Sequence, residues 1–476
     1  MNIVDIIFES NKSRPQQIAF NDQVGLLSYA QFEQEVIALS NDLVSKGLKK
    51  GMGVGVIDKN SRHFIIAVFA VLKANALAMP ISHQLKTAEI TKELDRSGLH
   101  LLLDSGNGPT LHHKQLDTFK ILDSEWSLKA NKPFDGNQYA NHVSDSAIMR
   151  YTSGTTGTSK GVIIGHQSIN ERIDAANKAL NLGTDDTVVW VLPMAYHFVV
   201  SIILYLKYGC TIAITKDFLG ESIYDCIELT QGTFLYASPM HIKMLNALKV
   251  DAMPPSLKRV ISTSTAITKA QCERFLNNYN IPIWQAYGII EIGLPIINTQ
   301  KAKEQPEAIG HALPDYEIGI LSDNHSILNK NEIGHLAIKG PGMFDAYLDP
   351  PILRADILVD GWFMTGDLAS KDEDGLIKVE GRKKSMINVA GNKVFPFEVE
   401  EVLNEHESIK LSKVSGFKHR LMGEIVQAEI VLKQDVEIGK EEIISFCRER
   451  LSTYKLPQHI TFVPELKFTG SGKIKR

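Results

Sequence analysis

The segment from Tyr151 to Val162 constrains this chain more than any other part of its sequence. Its twelve residues, YTSGTTGTSKGV, contain three glycines, a run of hydroxyl side chains and one lysine. Glycine permits backbone conformations that turn several N–H groups toward one anion, hydroxyls add adjustable donors, and Lys160 adds a mobile positive charge. The segment therefore predicts a phosphate-binding loop. The alternative is a flexible surface loop, because a glycine-rich loop alone is weak evidence.

Two familiar loop motifs do not fit this segment. A Walker loop has a glycine before its lysine and Ser or Thr after it, whereas here Ser159 precedes Lys160 and Gly161 follows it. A nucleophile elbow has the pattern G-x-S-x-G, but Tyr151 stands where the first glycine belongs. The loop is therefore neither a Walker loop nor the nucleophile turn of a hydrolase.

Together with four later segments, the loop resembles the adenylate-forming superfamily, which includes acyl-CoA synthetases, luciferases and the adenylation domains of peptide synthetases. Residues 285–291, QAYGIIE, resemble the Y-G-x-T-E box of that family, and residues 361–367, GWFMTGD, resemble its T-G-D box. Residues 381–384 with 391–400 resemble its hinge region, and residues 470–476, GSGKIKR, resemble its terminal G-K-I-x-R motif. The motifs follow the family's order and span nearly the whole chain.

The N-terminal region alternates helical and extended patterns. Apolar residues recur at helical spacing from Phe32 to Leu43, residues 53–58 form a predicted buried strand, residues 65–74 a helix, and residues 76–81 a strand. Such alternation predicts parallel sheets covered by helices.

Further along the chain the pattern changes to short strands and turns between Gly334 and Asp367, which predicts a small β subdomain. The resemblance implies an α/β fold with a large N-terminal domain of stacked, mostly parallel sheets and a small α+β C-terminal lid domain. We expect the two domains to cover residues 1–383 and 384–476, with a helix from Glu441 to Arg450 in the lid.

The composition of the chain excludes several classes of protein. Its 476 residues are too many for one simple core, and its net charge of −4 argues against a nucleic-acid or membrane-surface binder. The four cysteines lie far apart, without C-x-x-C spacing, and the N-terminus does not read as a signal peptide, so we expect a reduced, cytoplasmic setting. The apolar stretch from Val188 to Leu206 is interrupted by Pro193 and His197, so it predicts a buried strand, a turn and a buried helix rather than a membrane span.

The resemblance also implies roles for particular residues in binding ATP and Mg²⁺. Tyr287 would stack on adenine, Asp367 and Arg382 would bind the ribose, and Glu291 would hold Mg²⁺. Residues of the loop would hold the β- and γ-phosphates: Ser153, Gly154, Thr155, Thr156, Gly157 and Lys160.

Two further lysines have roles in the lid of such enzymes. Lys473 would bridge the substrate carboxylate and the α-phosphate, and the alternative is a solvated basic tail. Lys384 would be the hinge about which the lid reorients between the two half-reactions.

Some positions depart from the family's pattern. Ile290 stands where relatives carry a threonine whose hydroxyl reaches the α-phosphate, and the alternative is that 289–292 is an ordinary core strand. Ser264, Thr265 and Ile267 make the predicted adenine wall bulkier and more polar than usual. Asp367 could also be a turn residue after Gly366. The adenine contacts are therefore the part of the site that the sequence constrains least.

The substrate is predicted to be a carboxylic acid without an α-amino group. Amino-acid-activating relatives carry an aspartate a few residues after the strand at 188–192, but none occurs between Asp186 and Asp217, and an unpaired ammonium is costly in an apolar pocket. The predicted pocket for a fatty or aryl acid is formed by His197, Phe198, Ser201 and Gly288. His197 could equally be a core histidine.

We therefore predict an acid–thiol ligase that forms an acyl-AMP and passes the acyl group to CoA or to the phosphopantetheine of an acyl carrier protein. The alternatives are a non-catalytic acyl-adenylate sensor and a luciferase-like oxidative enzyme. The turn Phe417-Lys-His-Arg420 is basic where relatives often carry an acidic turn. It predicts either a site for an anionic acceptor or a solvated surface turn.

Overall fold

The computed structural model describes residues 1–136, 139, 143, 145–152, 160–349, 351–390, 392–420, 422–434, 436–468, 474 and 475. The chain divides into two compact units. The first comprises Met1–Thr152, Ser159–Glu317 and Lys339–Leu358, and the second comprises Ser153–Thr158, Ile318–Ile338 and Val359–Arg476. Of the predicted β subdomain, residues 334–338 and 359–367 group with the lid residues, whereas residues 339–358 belong to the first unit. The domain boundary at residue 384 stays a prediction.

The α-helices of the described residues are mostly short. In chain order they are α1 Ile3–Asn11, α2 Tyr29–Ser45, α3 Arg62–Lys73, α4 Thr87–Ser97, α5 His166–Leu180, α6 Met194–His197, α7 Ile203–Lys207, α8 Gly220–Thr230, α9 Pro239–Leu245, α10 Lys269–Tyr279, α11 Pro396–Glu405 and α12 Lys440–Arg448. A π-helical turn, Phe198–Ile202, joins α6 to α7, and 3₁₀ turns occur at Arg354–Asp356, Lys383–Ser385 and Thr453–Lys455.

The strands lie in four sheets. In chain order they are β1 Ile18–Asp22, β2 Gly25–Ser28, β3 Gly53–Asp58, β4 Leu77–Ser82, β5 Leu101–Asp104, β6 Gln115–Ile121, β7 Ser124–Ala130, β8 Ser146–Tyr151, β9 Gly161–Gly165, β10 Thr187–Trp190, β11 Thr211–Ile214, β12 Phe234–Ala237, β13 Arg259–Ser262, β14 Ile283–Ile289, β15 Gly293–Ile297, β16 His311–Ala312, β17 Glu317–Leu321, β18 Gly334–Lys339, β19 Ala346–Tyr347, β20 Ile352–Leu353, β21 Phe363–Lys371, β22 Ile377–Arg382, β23 Ile387–Val389, β24 Asn392–Val394, β25 Ile409–His419, β26 Gly423–Leu432 and β27 His459–Phe462.

Two nine-stranded sheets form the first unit. One has the order β16-β15-β14-β13-β12-β10-β11-β1-β2, and its strands from β14 to β1 run parallel. The other has the order β20-β19-β9-β8-β4-β3-β5-β7-β6, and only β8, β4, β3 and β5 pair in parallel. The predicted α/β class is confirmed, with parallel pairing concentrated in the centre of each sheet.

The helices of the first unit follow from local sequence signals. Ser28 and Gln31 form a reciprocal capping box at the start of α2, whose buried face includes Phe32 and Leu43. The following helix, α3, is buried on all sides from Phe64 to Leu72, as expected of a helix with no polar face. Helices α8, α9 and α10 cover the β10–β13 region through an apolar cluster that includes Leu235.

The second unit contains a four-stranded sheet, β17-β18-β21-β22, and a five-stranded sheet in which β24, β23, β26 and β25 follow one another and β27 pairs with β26. An apolar cluster from α11, α12 and the second of these sheets forms the core of the lid. The predicted lid helix is confirmed as α12, although it ends at Arg448.

The apolar stretch from Val188 to Leu206 folds as predicted. It contains the end of β10, a turn at Pro193 and the short buried helical segments α6 to α7. No helix among the described residues is long and apolar enough to cross a membrane.

Candidate active site

Two of the predicted site residues, Lys160 and Glu291, meet through one tyrosine. Lys160 directly precedes β9, and β9 pairs with β19 so that Val162 lies opposite Tyr347. The Lys160 Nζ atom lies 4.3 Å from the centre of the Tyr347 ring. The Tyr347 hydroxyl donates a hydrogen bond to Glu291 Oε1 at 3.1 Å. The fold therefore connects the predicted phosphate-binding lysine with the predicted Mg²⁺ ligand.

Glu291 occupies the turn between β14 and β15. Its neighbours Ile290 and Ile292 are buried, whereas Glu291 itself is half-buried. Arg172 of α5 restrains this turn by donating from Nη1 to the Ile290 carbonyl at 2.9 Å. Its Nε also donates to the Gly342 carbonyl at 2.7 Å. The alternative that these residues form a core strand is thus wrong: isoleucine side chains anchor a turn that presents the carboxylate.

The arginine that holds this turn is itself fully buried. Burial lowers the pKa of Arg172 to about 10, so the guanidinium stays charged at neutral pH. The segment that contains Gly342, the second hydrogen-bond partner of Arg172, also contacts the backbone of Glu291. Phe344 donates its N–H to the Glu291 carbonyl at 2.6 Å. No spacing signal in the sequence points to Arg172 or Tyr347, since each lies far from residue 291 in the chain.

A Mg²⁺ ion that arrives with ATP fits this arrangement. Among the described residues, no cluster of three His, Cys, Asp or Glu side chains could hold a metal ion alone. Mg²⁺ usually binds through one or two carboxylates together with substrate phosphates. Glu291 offers one oxygen to Tyr347, and its other oxygen makes no hydrogen bond to a described residue. The donor set is therefore that of a nucleotide-borne cation.

The predicted pocket residues have different environments. His197, at the end of α6, lies beside the aromatic rings of Trp190 and Tyr236, with ring centres 6.2 and 6.3 Å away. Ser201 lies in the π-helical turn and hydrogen-bonds the hydroxyl of Tyr236. Phe198, in contrast, packs on rings of α3 and belongs to the core. His197, Ser201 and the two aromatic rings thus form one cluster.

The residues of the predicted adenine wall that depart from the family's pattern lie in different environments. The Ser264 hydroxyl lies 3.4 Å from His197 Nε2, so one departure from the family pattern meets the predicted acid pocket. Ile267 points into the apolar core, and Thr265 is exposed. Tyr287 is a half-buried residue of β14.

Gly288 lies beside Tyr287 at an irregularity in the β14–β15 pairing. A Cβ atom at residue 288 would lie 2.5 Å from the Gly293 carbonyl oxygen, so only glycine fits there.

The second unit brings together the two predicted ribose ligands. Asp367 and Arg382 are directly opposite on β21 and β22, and Arg382 Nε lies 2.9 Å from Asp367 Oδ1. Asp367 is buried, whereas Arg382 is substantially exposed. The preceding Gly366 has a φ of +81°, a conformation that favours glycine. The alternative that Asp367 is a turn residue is wrong, because both residues lie within β21. Lys384 lies in the 3₁₀ turn that follows Arg382.

The lid carries an open cavity at the end of the β25–β26 hairpin. Its volume is about 630 Å³, and its lining residues are Asn388, Lys418, His419, Arg420, Met422, Gly423 and Glu424. The predicted basic turn therefore lines a concavity. Several predicted site residues lie outside the described residues: Ser153, Gly154, Thr155, Thr156, Gly157 and Lys473.

Comparison with known proteins gives a consistent family. The AMP-binding enzyme family matches residues 7–348, and the AMP-binding enzyme C-terminal domain matches residues 398–473. Among relatives, a 2-succinylbenzoate–CoA ligase of Bacillus licheniformis is 28% identical over 459 residues, which is 94% of each chain. A putative acyl–CoA ligase, YdaB, of Bacillus subtilis is 28% identical over 469 residues, covering 94% of this chain and 93% of the relative.

Solved structures share the fold over the whole chain. The o-succinylbenzoate CoA synthetase MenE of Bacillus subtilis, in complex with the acyl-adenylate OSB-AMP, has a TM-score of 0.86 at 21% identity and covers 99% of this chain and 96% of that one. ATP-bound MatB of Rhodopseudomonas palustris has a TM-score of 0.85 at 22% identity and covers 100% and 97%. The resemblance seen in the motifs is confirmed: the chain belongs to the AMP-binding enzyme family, the adenylate-forming enzymes.

Proposed function

We propose that this protein is an AMP-forming acid–thiol ligase that activates a carboxylic acid lacking an α-amino group. The observation that carries the proposal is the contact of Lys160 and Glu291 with one tyrosine, because the lysine predicted to bind phosphate and the carboxylate predicted to bind Mg²⁺ then belong to one cluster. The Asp367–Arg382 pair supplies a buried carboxylate of the kind that binds ribose hydroxyls. The relatives named as acid–CoA ligases support the same reaction.

In the first half-reaction, a carboxylate oxygen of the acid attacks the α-phosphorus of ATP, and the bond to the pyrophosphate oxygen breaks. Two anions must approach each other, so the site has to offset their repulsion. Lys160 and the loop before it would hold the β- and γ-phosphates, and Lys473 would bridge the carboxylate and the α-phosphate. Glu291 would hold Mg²⁺, which would neutralise part of the charge of the pyrophosphate leaving group.

In the second half-reaction, the sulfur of the acceptor thiol attacks the acyl carbon, the thiol proton is lost to solvent, and the carbon–oxygen bond to AMP breaks. The products are a thioester and AMP. Lys384, in the exposed turn after Arg382, would be the hinge that exchanges Lys473 for the thiol.

We place aryl acids first among the substrates. The side chains of Trp190, Tyr236 and His197 form a cluster of flat rings, and Tyr236 stacks on Trp190 at an interplanar angle of 11°. Such a cluster suits a planar ring better than a flexible chain. Relatives that act on 2-succinylbenzoate also point to an aromatic acid. Fatty acids are the second class, because the surroundings of this cluster are apolar.

We assign CoA as the acceptor, with the cavity on the lid as the place where its phosphates would bind. Lys418, His419 and Arg420 line this cavity, and His419 accepts the N–H of Met422 through Nδ1 at 3.2 Å. Lysine and arginine bind phosphate and carboxylate alike, so an acidic carrier protein is the competing acceptor. The four free cysteines support our expectation of a reducing, cytoplasmic setting.

A panel of acids tests the proposed reaction. Pyrophosphate release should require ATP, Mg²⁺ and an acid, with benzoate-like acids above medium-chain fatty acids and α-amino acids at background. Robust activity with an α-amino acid would contradict the proposed substrate class. No activity with any acid, despite tight ATP binding, would instead support a sensor.

A charge reversal tests the acceptor. The double variant Lys418→Glu with Arg420→Glu should raise the KM for CoA strongly and in a salt-dependent way, while pyrophosphate release stays unchanged. The thioester rate with pantetheine, which lacks the nucleotide phosphates, should not change. Lys433→Glu, a lid variant outside the cavity, is the matched control. Normal CoA kinetics with slowed loading of a carrier protein would assign the cavity to the carrier protein.

A further inference from the structure

Tyr347 contacts both charged groups of the cluster, although neither the motifs nor the known reaction gives it a role. Its ring lies 4.3 Å from Lys160 Nζ, and its hydroxyl lies 3.1 Å from Glu291 Oε1. All three residues belong to the first unit. One side chain therefore links the cation and the carboxylate that would face the phosphates and Mg²⁺ of ATP.

The backbone around Tyr347 is fixed on both sides. Leu348 donates its N–H to the Gly161 carbonyl at 2.7 Å, and Asp345 accepts the N–H of Gly165 at 2.7 Å. These bonds attach β19 to β9 immediately after Lys160. The Tyr347 ring is buried, and the Phe344 ring packs on it at a centre-to-centre distance of 4.7 Å. The phenol is therefore held in one orientation before any ligand binds.

The phenol can act only as a donor toward Glu291. A phenol hydroxyl has one proton to donate, and here it lies 3.1 Å from Glu291 Oε1, which accepts it. A donor on Oε1 restricts rotation of the carboxylate and leaves the other oxygen available as a ligand. Ile290, which replaces the usual threonine, cannot supply a hydroxyl to this site.

We propose that Tyr347 is a positioning residue for Mg·ATP: its hydroxyl orients the Glu291 carboxylate for Mg²⁺, and its ring holds Lys160 for the phosphates. The inference rests on the proposed function, in which Glu291 binds the Mg²⁺ of Mg·ATP. Partners that orient a metal ligand typically contribute 10- to 100-fold in metal affinity. A cation over an aromatic ring contributes less, about two- to five-fold at a partly exposed site.

The test measures ATP binding by calorimetry over a Mg²⁺ series, without any acid substrate. Tyr347→Phe removes only the hydroxyl, and it should raise the Mg²⁺ concentration at half-saturation by about 10-fold or more. ATP affinity in EDTA should stay at the wild-type value. Tyr347→Leu also removes the ring, and it should in addition weaken ATP binding in EDTA by about two- to five-fold. It also provides a second hydroxyl-free variant if Tyr347→Phe folds poorly.

Two controls separate positioning from general packing. Tyr279→Phe removes another buried phenol, which donates to the Leu245 carbonyl at 2.7 Å, and it should leave the Mg²⁺ dependence unchanged. In the background of Glu291→Gln, Tyr347→Phe should have little further effect on Mg²⁺ dependence, because the two groups act as one unit.

Wild-type Mg²⁺ dependence in a folded Tyr347→Phe variant would overturn the inference, and so would full additivity with Glu291→Gln. Absence of ATP binding by the wild type at every Mg²⁺ concentration would overturn both this inference and the proposed function. If Mg·ATP binding depends on Tyr347 but no acid is activated, the proposed reaction is contradicted and the inference about Tyr347 is supported.

Discussion

Replacing Arg172 by methionine should cost little stability and much Mg·ATP affinity. The variant keeps an apolar stem but loses two hydrogen bonds to backbone carbonyls, at 2.9 and 2.7 Å. Charge-assisted bonds contribute about 1.5–3 kcal/mol each, so the loss is about 3–6 kcal/mol. The variant also removes a buried charge. Burial lowers the pKa of Arg172 to about 10, so removal of this buried charge should recover about 3 kcal/mol of stability. The net loss should therefore be about 0–3 kcal/mol.

The functional effect of the same change should be larger. Without Arg172, the Ile290 carbonyl is no longer held, and the turn that presents Glu291 can move. We expect the Mg²⁺ concentration at half-saturation of ATP binding to rise by about 10-fold or more, as for other groups that orient a metal ligand.

Urea unfolding at pH 7.5 and ATP titration over a Mg²⁺ series measure the two effects separately. Arg259→Met is the matched control, because Arg259 also donates to a backbone carbonyl, that of Leu180 at 2.6 Å, but away from the Glu291 turn. It should lose stability without altering Mg·ATP binding. A destabilised Arg172→Met variant with wild-type Mg²⁺ dependence would refute the reasoning and leave Arg172 a purely structural residue.

Three other predictions concern ribose binding, acid stability and the hinge. Asp367→Asn should raise the KM for ATP about 10-fold or more in a pyrophosphate-exchange assay while the protein still unfolds cooperatively, since the neutral amide pairs weakly with Arg382 and ribose; lost stability with normal ATP kinetics would make Asp367 a purely structural residue of its strand. His166 accepts the N–H of Ile3 at 3.2 Å, and burial lowers its pKa to about 4. Because an unfolded imidazole titrates near 6.5, stability present above that pH should be lost as the pH falls toward 4, by up to about 3 kcal/mol, and His166→Gln should flatten this loss in urea unfolding. Lys384→Pro should preserve acyl-AMP formation and abolish thioester formation in single-turnover assays, whereas normal thioester formation would place the hinge elsewhere.

Much of the fold could be predicted because local signals agree with the tertiary structure. The capped, amphipathic α2 and the all-apolar α3 were visible as helical patterns, and β3 and β4 as buried runs between them. The antiparallel edges of the second sheet were not visible, because β19 and β9 are separated by almost two hundred positions in the chain and short strands carry little periodic signal.

The residues of the candidate site also fall into those that could be predicted from the sequence and those that could not. Lys160, Glu291, Asp367 and Arg382 were found through short motifs, and the fold brings each predicted pair together within its own unit. The residues that orient them could not be found. Tyr347 contacts Glu291 by a side-chain hydrogen bond between residues 56 positions apart, and β19 pairs with β9 beside Lys160. No motif or spacing in the sequence encodes either contact. Positioning residues depend on tertiary packing rather than on local chemistry.

Phe198 has an environment that the sequence did not predict. Its position beside His197 suggested the acid pocket, but the π-helical turn that begins at residue 198 directs its ring onto Phe64 and Phe69. A helix of regular pitch keeps residues three and four apart on one face, whereas a π turn shifts that register. Its role in the pocket stays a prediction, and the sequence carries no signal for the shift.

The central claim is that one site forms an acyl-AMP and then a thioester, and a quenched single-turnover experiment tests it most directly. The wild-type enzyme is mixed with ATP, Mg²⁺, CoA and a free aryl acid that it accepts as substrate. Acyl-AMP should appear first, with one pyrophosphate for each acyl group, and acyl-CoA and AMP should follow. Lys473→Ala should slow acyl-AMP formation by about 10²- to 10³-fold and spare thioester formation from preformed acyl-AMP. Appearance of ADP and phosphate, or acyl-CoA without an acyl-AMP precursor, would contradict the account.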